Sequence, residues 1–173
     1  MIQFKKFNDT FKNEKTSYEI ADNKLYLASR FMILATPWHS TEPPKIIKDK
    51  VLSADPGTLA SIYREQKDSF GKKFSCIAKE TGITFQVPTG RKKHTVSVLV
   101  ADQKDIVPYA VYVRENYLRI FGSKYTFISV QGPTDMVAIC AGDCIGFMKP
   151  IQLPDYAAHN LKAHARAILF PER

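Results

Sequence analysis

The sequence lacks long hydrophobic runs and contains few cysteines. No apolar stretch approaches the roughly 20 residues of a membrane-spanning helix, and the N-terminal residues contain no apolar segment of the kind that a signal peptide needs. The cysteines, Cys76, Cys140 and Cys144, are odd in number and lack the spacing of a disulfide framework. We therefore expect a soluble protein of the reducing cytoplasm that has no membrane partner.

Motifs for known catalytic and cofactor chemistry are also missing. There is no nucleophile elbow, zinc-protease motif, phosphate-binding loop or dinucleotide fingerprint. Cys140 and Cys144 flank a tight turn, but zinc needs four ligands and no second pair stands at metal spacing, which favours two buried strand cysteines. We expect no catalytic residue, no metal and no cofactor. A small hydrolase or nuclease is the weaker alternative, and its dispersed candidate acids are Asp102, Asp105, Asp135 and Asp143.

A surplus of positive charge is the first feature that points to a function. The 173 residues include 25 lysines and arginines against 17 aspartates and glutamates, which gives a formal net charge of +8. A hydrophobic fraction of 45% is enough for one domain with a substantial core. The charge favours an anionic partner such as nucleic acid, and a solvated basic surface is the alternative.

Turn chemistry divides the chain into an N-terminal hairpin, a central domain and a C-terminal helix. Ser17–Ala21 and Leu25–Ala35 flank an Asx-rich turn and predict the hairpin, whereas residues 1–16 fit either a short helix or a strand. Asp155 can cap the C-terminal helix. The predicted boundaries are residues 1–44 for the hairpin extension, 45–153 for the central domain and 154–173 for the helix.

The central domain contains the order strand, helix, strand, strand, strand twice. In the first copy Asp55 can cap a helix that has Pro56 at its first position, and in the second copy a helix ends at Gly122. The predicted strands are 45–52, 73–79, 83–87 and 94–100 in the first copy, and 109–113, 125–131, 136–141 and 144–151 in the second. Two such units predict a pseudo-symmetric α+β domain in which both helices cover one side of antiparallel sheets.

Three motifs of the second copy suggest a family. They are Asn116-Tyr117-Leu118 at the helix start, the stretch from Gln131 to Ile139, and the closing Phe147-Met148-Lys149-Pro150-Ile151. In this order they resemble the last domain of the bacterial DNA sliding clamp, the beta subunit of the replicative polymerase. The resemblance covers residues 45–152, about two thirds of the chain. It implies a clamp-like fold, DNA bound without regard to sequence, and replication proteins as further partners.

The sequence also departs from the clamp pattern in two places. Lys149 separates a methionine and a proline that are adjacent in the family, and Leu25–Ala35 matches the family's threonine-aspartate-glycine turn only loosely. In the family these two regions form the pocket for partner peptides. A clamp ring needs several such domains, so either copies of this chain assemble into a homo-oligomer or the fold has been reused.

Twelve cations are the candidate nucleic-acid contacts. The resemblance implies that the two helices face DNA, and a cationic hairpin tip can hold a phosphate backbone without reading sequence. Exposed lysines are otherwise common on protein surfaces. The candidates are Lys48, Lys50, Arg64, Lys67, Lys72 and Lys73 around the first helix, Arg91, Lys92 and Lys93 at the tip, and Arg114, Arg119 and Lys124 around the second helix.

Charge and resemblance together give two hypotheses. The first is a non-enzymatic protein of sliding-clamp type, a processivity factor that binds DNA or replication machinery and could be encoded by a mobile element. The second is a protein-interaction or inhibitor module that reuses the clamp fold without binding DNA. A complex that resists salt and contains no DNA would favour the second hypothesis.

Overall fold

The computed structural model describes residues 2–89, 92–101, 109–122, 125 and 127–152. These residues form an α+β fold, so the predicted α+β class is confirmed. The helices are α1 (Phe4–Thr10), α2 (Lys45–Lys48), α3 (Thr58–Gly71) and α4 (Glu115–Ile120). The strands are β1 (Ser17–Ala21), β2 (Lys24–Ala28), β3 (Met32–Pro37), β4 (Leu52–Ser53), β5 (Cys76–Thr89), β6 (Lys92–Ala101), β7 (Tyr109–Arg114), β8 (Phe127–Val130), β9 (Val137–Ala141) and β10 (Cys144–Met148).

The strands form a single mixed sheet. Their order is β4-β1-β2-β3-β10-β9-β8-β5-β6-β7. Every neighbouring pair is antiparallel except β1 with β4, which are parallel. Among the described helices, none has the length and apolar character that crossing a membrane would require.

Alternating side chains give the sheet two buried faces. In β2 and β3, Leu25, Leu27 and Leu34 point to one face, whereas Tyr26 and Ile33 point to the other. Helices α1, α2 and α4 cover the first face, which we call the three-helix face, and bury the larger core there. Helix α3 covers the second face, the α3 face, over a smaller apolar cluster.

The middle of the sheet has an internal pseudo-symmetry. Helix α1 is followed by the meander β1-β2-β3, and helix α4 is followed by the meander β8-β9-β10. The two meanders join through antiparallel pairing of β3 with β10, from Met32 opposite Met148 to Ala35 opposite Ile145. The repeated unit is therefore a helix followed by three strands, in residues 4–37 and 115–148.

The two helices of this repeat lie side by side. The amide of Gln3, just before α1, donates to the carbonyl of Ile120 at the end of α4 over 2.8 Å. The ring centroids of Phe11 and Tyr117 are 5.3 Å apart. Helices α1 and α4 consequently pack as a pair on the three-helix face.

The predicted repeat was therefore correct in its second copy and wrong in its first. Strand β7, helix α4 and strands β8 to β10 follow the predicted order, but their symmetry mate is the N-terminal segment. Residues 1–44, expected as an extension, contribute α1 and β1 to β3 to the same core and sheet. The predicted C-terminal helix over 154–173 lies outside the described residues.

Two local predictions in the first copy also need correction. Residues 45–52, expected as a strand, contain the short helix α2 and only the start of β4, because Ile47 is completely buried with that helix. The turn expected at Gly82 is a bulge inside the single strand β5, where Gly82 takes a φ of +77°. The N-terminal hairpin is confirmed, although Leu25–Ala35 divides into β2 and β3.

Helix α3 is anchored by a side chain from the sheet. The helix begins at Thr58 after Gly57, and Asp55 does not cap it through its side chain. The buried carboxylate of Glu19 accepts hydrogen bonds from the amides of Gly57 (2.6 Å), Leu59 (2.6 Å) and Ala60 (3.1 Å). Glu19 thus satisfies the free N–H groups of the first turn and fixes α3 on strand β1.

We expect Glu19→Gln to lower the free energy of unfolding by about 2–3 kcal/mol. Hydrogen bonds to a charged acceptor contribute roughly 1.5–3 kcal/mol each, and glutamine places an N–H where one oxygen now accepts. Urea unfolding followed by circular dichroism measures the change. Glu65→Gln, an exposed change on the same helix, is the control and should stay within about 0.5 kcal/mol. Equal losses in the two variants would contradict the anchoring role of Glu19.

Gly146 is the point where α4 presses on the central strand pair. A Cβ atom at Gly146 would overlap Cζ of Phe121 and approach Cε1 of the same ring to 2.8 Å. We expect Gly146→Ala to cost about 1–3 kcal/mol of stability, because the ring must move in a packed core. Adding Phe121→Leu should recover part of this loss in a double-mutant cycle. Strict additivity of the two changes would show that the ring does not rest on Gly146.

Candidate nucleic-acid interface

The three-helix face carries exposed cations on all of its helices. In α1, Phe4, Phe7 and Phe11 recur at helical spacing and turn toward the core, which leaves Lys5 and Lys6 exposed on the outer side. The side-chain amide of Asn8 donates to the carbonyl of Ile46 over 2.6 Å and holds α2 beside α1. The exposed cations of this face are Lys5, Lys6, Lys12, Lys45, Lys48, Lys50 and Arg119.

Carboxylates only partly balance these cations. Lys48 pairs with Glu42 at 3.0 Å, and Arg119 pairs with Glu115 at 2.8 Å. Both pairs involve exposed side chains, and exposed ion pairs contribute at most about 1 kcal/mol, so phosphate can compete for either cation. Lys50 has no ion pair among the residues that the structure describes. Asp9, Glu14 and Asp49 also lie on or beside these helices. The seven named cations therefore exceed the five carboxylates of the same helices and their flanks by two, a modest surplus that an anionic backbone could use.

The predicted candidates around the two central helices do not share one surface. Arg64, Lys67 and Lys72 belong to α3 or its end and lie on the α3 face, whereas Arg119 belongs to α4 on the opposite face of the sheet. Arg64 also donates from Nε to the carbonyl of Ala60 over 3.1 Å. The expectation that α3 and α4 cover one side together was wrong, because Glu19 anchors α3 on the other side.

The β5–β6 hairpin extends beyond its neighbouring strands, and we call residues 86–89 and 92–95 the arm. Strand β8 pairs with β5 only at 76–78, and β7 pairs with β6 only from Val96 onward. Beyond these points residues 86–89 pair with residues 92–95, and the side of the arm that carries Val87 is buried. Lys92 and Lys93 begin β6 at the arm's end, and Lys93 is exposed. Arg91 and Lys124 lie outside the described residues.

Lys73 and Arg114 line a cleft between the end of α3 and the start of α4. Lys149, on the segment that follows β10, lines the same cleft, which has a volume of about 600 Å³. Lys149 is not among the twelve predicted contacts, because in the sequence it stands out only as a departure from the clamp pattern. The lysines of α1 are also missing from the predicted contacts. The helical spacing of Phe4, Phe7 and Phe11 could have identified Lys5 and Lys6 as the outer side of a helix.

Among the described residues, the two hairpin cysteines point to opposite faces of the sheet and the turn acids Asp135 and Asp143 lie apart. Cys144 faces the three-helix core opposite Ala141, whereas Cys140 pairs with Ile145 and points to the other face. Burial raises the pKa of the Cys144 thiol to about 12 and also raises that of Cys140. In the described part of the chain, no three His, Cys, Asp or Glu residues could hold a metal. Asp135 and Asp143 flank opposite ends of β9, and Asp102 and Asp105 fall outside the described residues.

Comparisons with known proteins give no relative for this chain. No family model matches it, and neither a curated protein nor a solved structure does so. The charge and geometry of the three-helix face, the arm and the cleft are therefore the basis for a functional proposal.

Proposed function

We propose that this protein is a non-enzymatic DNA-binding protein of sliding-clamp type that holds duplex DNA on its three-helix face. The observation that carries the proposal is the pairing of α1 and α4 across the pseudo-symmetric sheet, with their lysines and arginine turned outward. In the clamp family that the sequence resembles, the paired helices are the elements expected to face DNA. Replication proteins are the further partners that the resemblance implies.

The chemistry of this face suits binding without sequence recognition. Duplex DNA carries about one negative charge per 1.7 Å of its axis, and lysines that neutralise phosphates release counterions. Lys5 and Lys6 project from a helix of seven residues, and Lys45 and Lys50 extend the basic surface along its neighbour α2. Flexible ammonium groups hold phosphates as point charges and do not discriminate between bases.

The arm can extend the same contact. At about 3.3 Å per residue, residues 84–89 reach about 20 Å past the bulge at Gly82. Its polar side includes Gln86, whose amide donates to the hydroxyl of Thr95 over 2.9 Å, and the exposed Lys93. The polar side of such a ribbon, with its cationic end, can lie along a phosphate backbone.

Exposed apolar side chains favour a second candidate, a protein-binding surface on the same fold. Phe74 is 67% exposed and Ile77 is 60% exposed. Phe127 on β8 is also exposed, and it lies diagonally from Ile77 on the same side of the β5–β8 pair. Large exposed apolar side chains that lie together mark protein contacts. In this case the partner would be a protein, and its complex would resist salt.

We expect a fluorescently labelled duplex to bind at 50 mM salt with an affinity that falls steeply as salt rises, measured by anisotropy. Replacing Lys5, Lys6 and Lys12 together with glutamine should weaken binding about tenfold or more. It should also lower the salt slope by about 2–3, because each lost phosphate contact removes about 0.9. The matched control replaces Arg64, Lys67 and Lys72 on the α3 face, and it should bind nearly as well as the parent protein.

Two results would oppose this proposal. Absence of duplex binding at low salt would exclude duplex DNA as the partner of this face, and equal weakening by both triple variants would exclude a specific role for the three-helix face. Light scattering with and without DNA measures the assembly state. A closed oligomer supports encirclement of the duplex, whereas a monomer favours binding on one side of it.

A further inference from the structure

The cleft that contains Arg114 is a second candidate binding site, separate from the three-helix face. Its walls come from the end of α3, the start of α4, the loop before β9 and the segment after β10. Its volume of about 600 Å³ falls within the range of roughly 300–1,000 Å³ that is typical of small-molecule sites. The cleft is thus large enough for a ligand of nucleotide size.

Positive charge dominates the cleft. Lys73, Arg114 and Lys149 line it. Within the described part of the chain, Asp135 is the one acidic residue in the lining, and its Oδ1 atom lies 3.8 Å from Nζ of Lys73. Arg30 stands beside the cleft, with its guanidinium 5.5 Å from the centre of the Phe31 ring. In the described residues, no carboxylate pairs with Arg30, Arg114 or Lys149. A concave surface with unpaired cations concentrates anions more strongly than a flat one.

Arg114 is held in place by aromatic rings. Its guanidinium carbon lies 5.6 Å from the ring centre of Phe31 and 5.6 Å from that of Tyr117. Burial raises the pKa of Tyr117 to about 12, so at neutral pH the phenol carries no charge that could neutralise the arginine. The Tyr117 hydroxyl oxygen also accepts a hydrogen bond from the guanidinium, and the remaining N–H groups of Arg114 can bind a phosphate or carboxylate with little further loss of entropy.

The remaining walls indicate a ligand with a planar polar part. Phe70 lines the cleft and packs against Phe147 with ring centroids 5.7 Å apart, which fixes its position. The amide of Gln131 donates to the carbonyl of Phe70 over 2.6 Å and is therefore fixed as well, and Gln66 lies nearby on α3. Aromatic rings stack on nucleobases, and amide side chains can donate to and accept from base edges.

We propose that this cleft binds a nucleoside 5′-phosphate, with the phosphate at Lys73, Arg114 and Lys149 and the base beside Phe70. The ligand is either a free nucleotide or the phosphorylated end of a nucleic-acid strand, which share this chemistry. A bare phosphate would leave most of the volume unfilled. The site does not depend on duplex binding, because α1 contributes no residue to it.

Calorimetric titration of the full chain tests the proposal with four probes. They are deoxyadenosine 5′-monophosphate, deoxyadenosine, and a short single-stranded oligodeoxyadenylate with either a 5′-phosphate or a 5′-hydroxyl. Lys73→Gln and Lys149→Gln should each weaken binding of the phosphorylated probes about tenfold, since one hydrogen bond between charged groups is lost. Lys72→Gln is the matched control, because Lys72 is an exposed neighbour outside the cleft, and it should change affinity less than about twofold.

The outcomes separate the two ligand sources. Binding of the nucleotide identifies a free-nucleotide site, and binding of the 5′-phosphorylated strand alone identifies a strand-end site. The proposal is overturned if neither phosphorylated probe binds at millimolar concentration, if phosphorylated and unphosphorylated probes bind equally, or if Lys72→Gln weakens binding as much as Lys73→Gln. Replacing Lys5, Lys6 and Lys12 should leave nucleotide affinity unchanged, so that failure of this site and failure of the three-helix face are distinguishable.

Discussion

The antiparallel pairing of β3 with β10 is the contact on which the rest of the molecule depends. It joins two helix-plus-meander units that are offset by 111 residues in the chain, from Phe4 to Glu115, and it places α1 and α4 next to each other on one face. Gly146 sits in the middle of this pair, where the missing side chain makes room for Phe121 at the end of α4. Without this pairing the central strands of the larger core would separate, and α1 and α4 would no longer pack on one continuous sheet.

Both candidate surfaces follow from that arrangement. The paired helices bury their phenylalanines and turn their cations outward, since the sheet takes up only one side of each helix. The cleft forms where the chain leaves β10: the amide of Lys149 donates to the carbonyl of Phe31 over 3.0 Å, and the amide of Ile151 donates to that of Tyr112 over 2.8 Å. The segment from Lys149 to Ile151 therefore runs from the loop before β3 to strand β7, and Lys149 lines the same cleft as Arg114. Buried Glu19 holds α3 on the other face, so the sheet separates Lys67 and Lys72 from the lysines of α1.

Local signals explain which elements could be predicted. The Asx turn at Asp22 and Asn23, where both residues have positive φ, and the Gly142 turn each defined a hairpin. Gly122, with a φ of +84°, ended α4 where expected. Local sequence signals predicted the wrong structure where the deciding contact came from a residue distant in the chain. Asp55 looks like a helix cap, but the side-chain cap comes from Glu19 on β1. Gly82 looks like a turn, but β5 continues through it as a bulge paired with β6.

The sequence by itself determined the α+β class, the hairpins, the second helix-and-meander unit and the basic character of the chain, because these depend on residues close together or on composition alone. Tertiary structure decided which segment is the symmetry mate of that unit, which face each helix covers, and which cations meet. The reason is that strand pairing between distant residues is fixed by burial of whole faces, and this leaves no local trace in the sequence. Lys73, Arg114 and Lys149 are far apart in the sequence, and only the crossing of the chain after β10 brings them into one cleft.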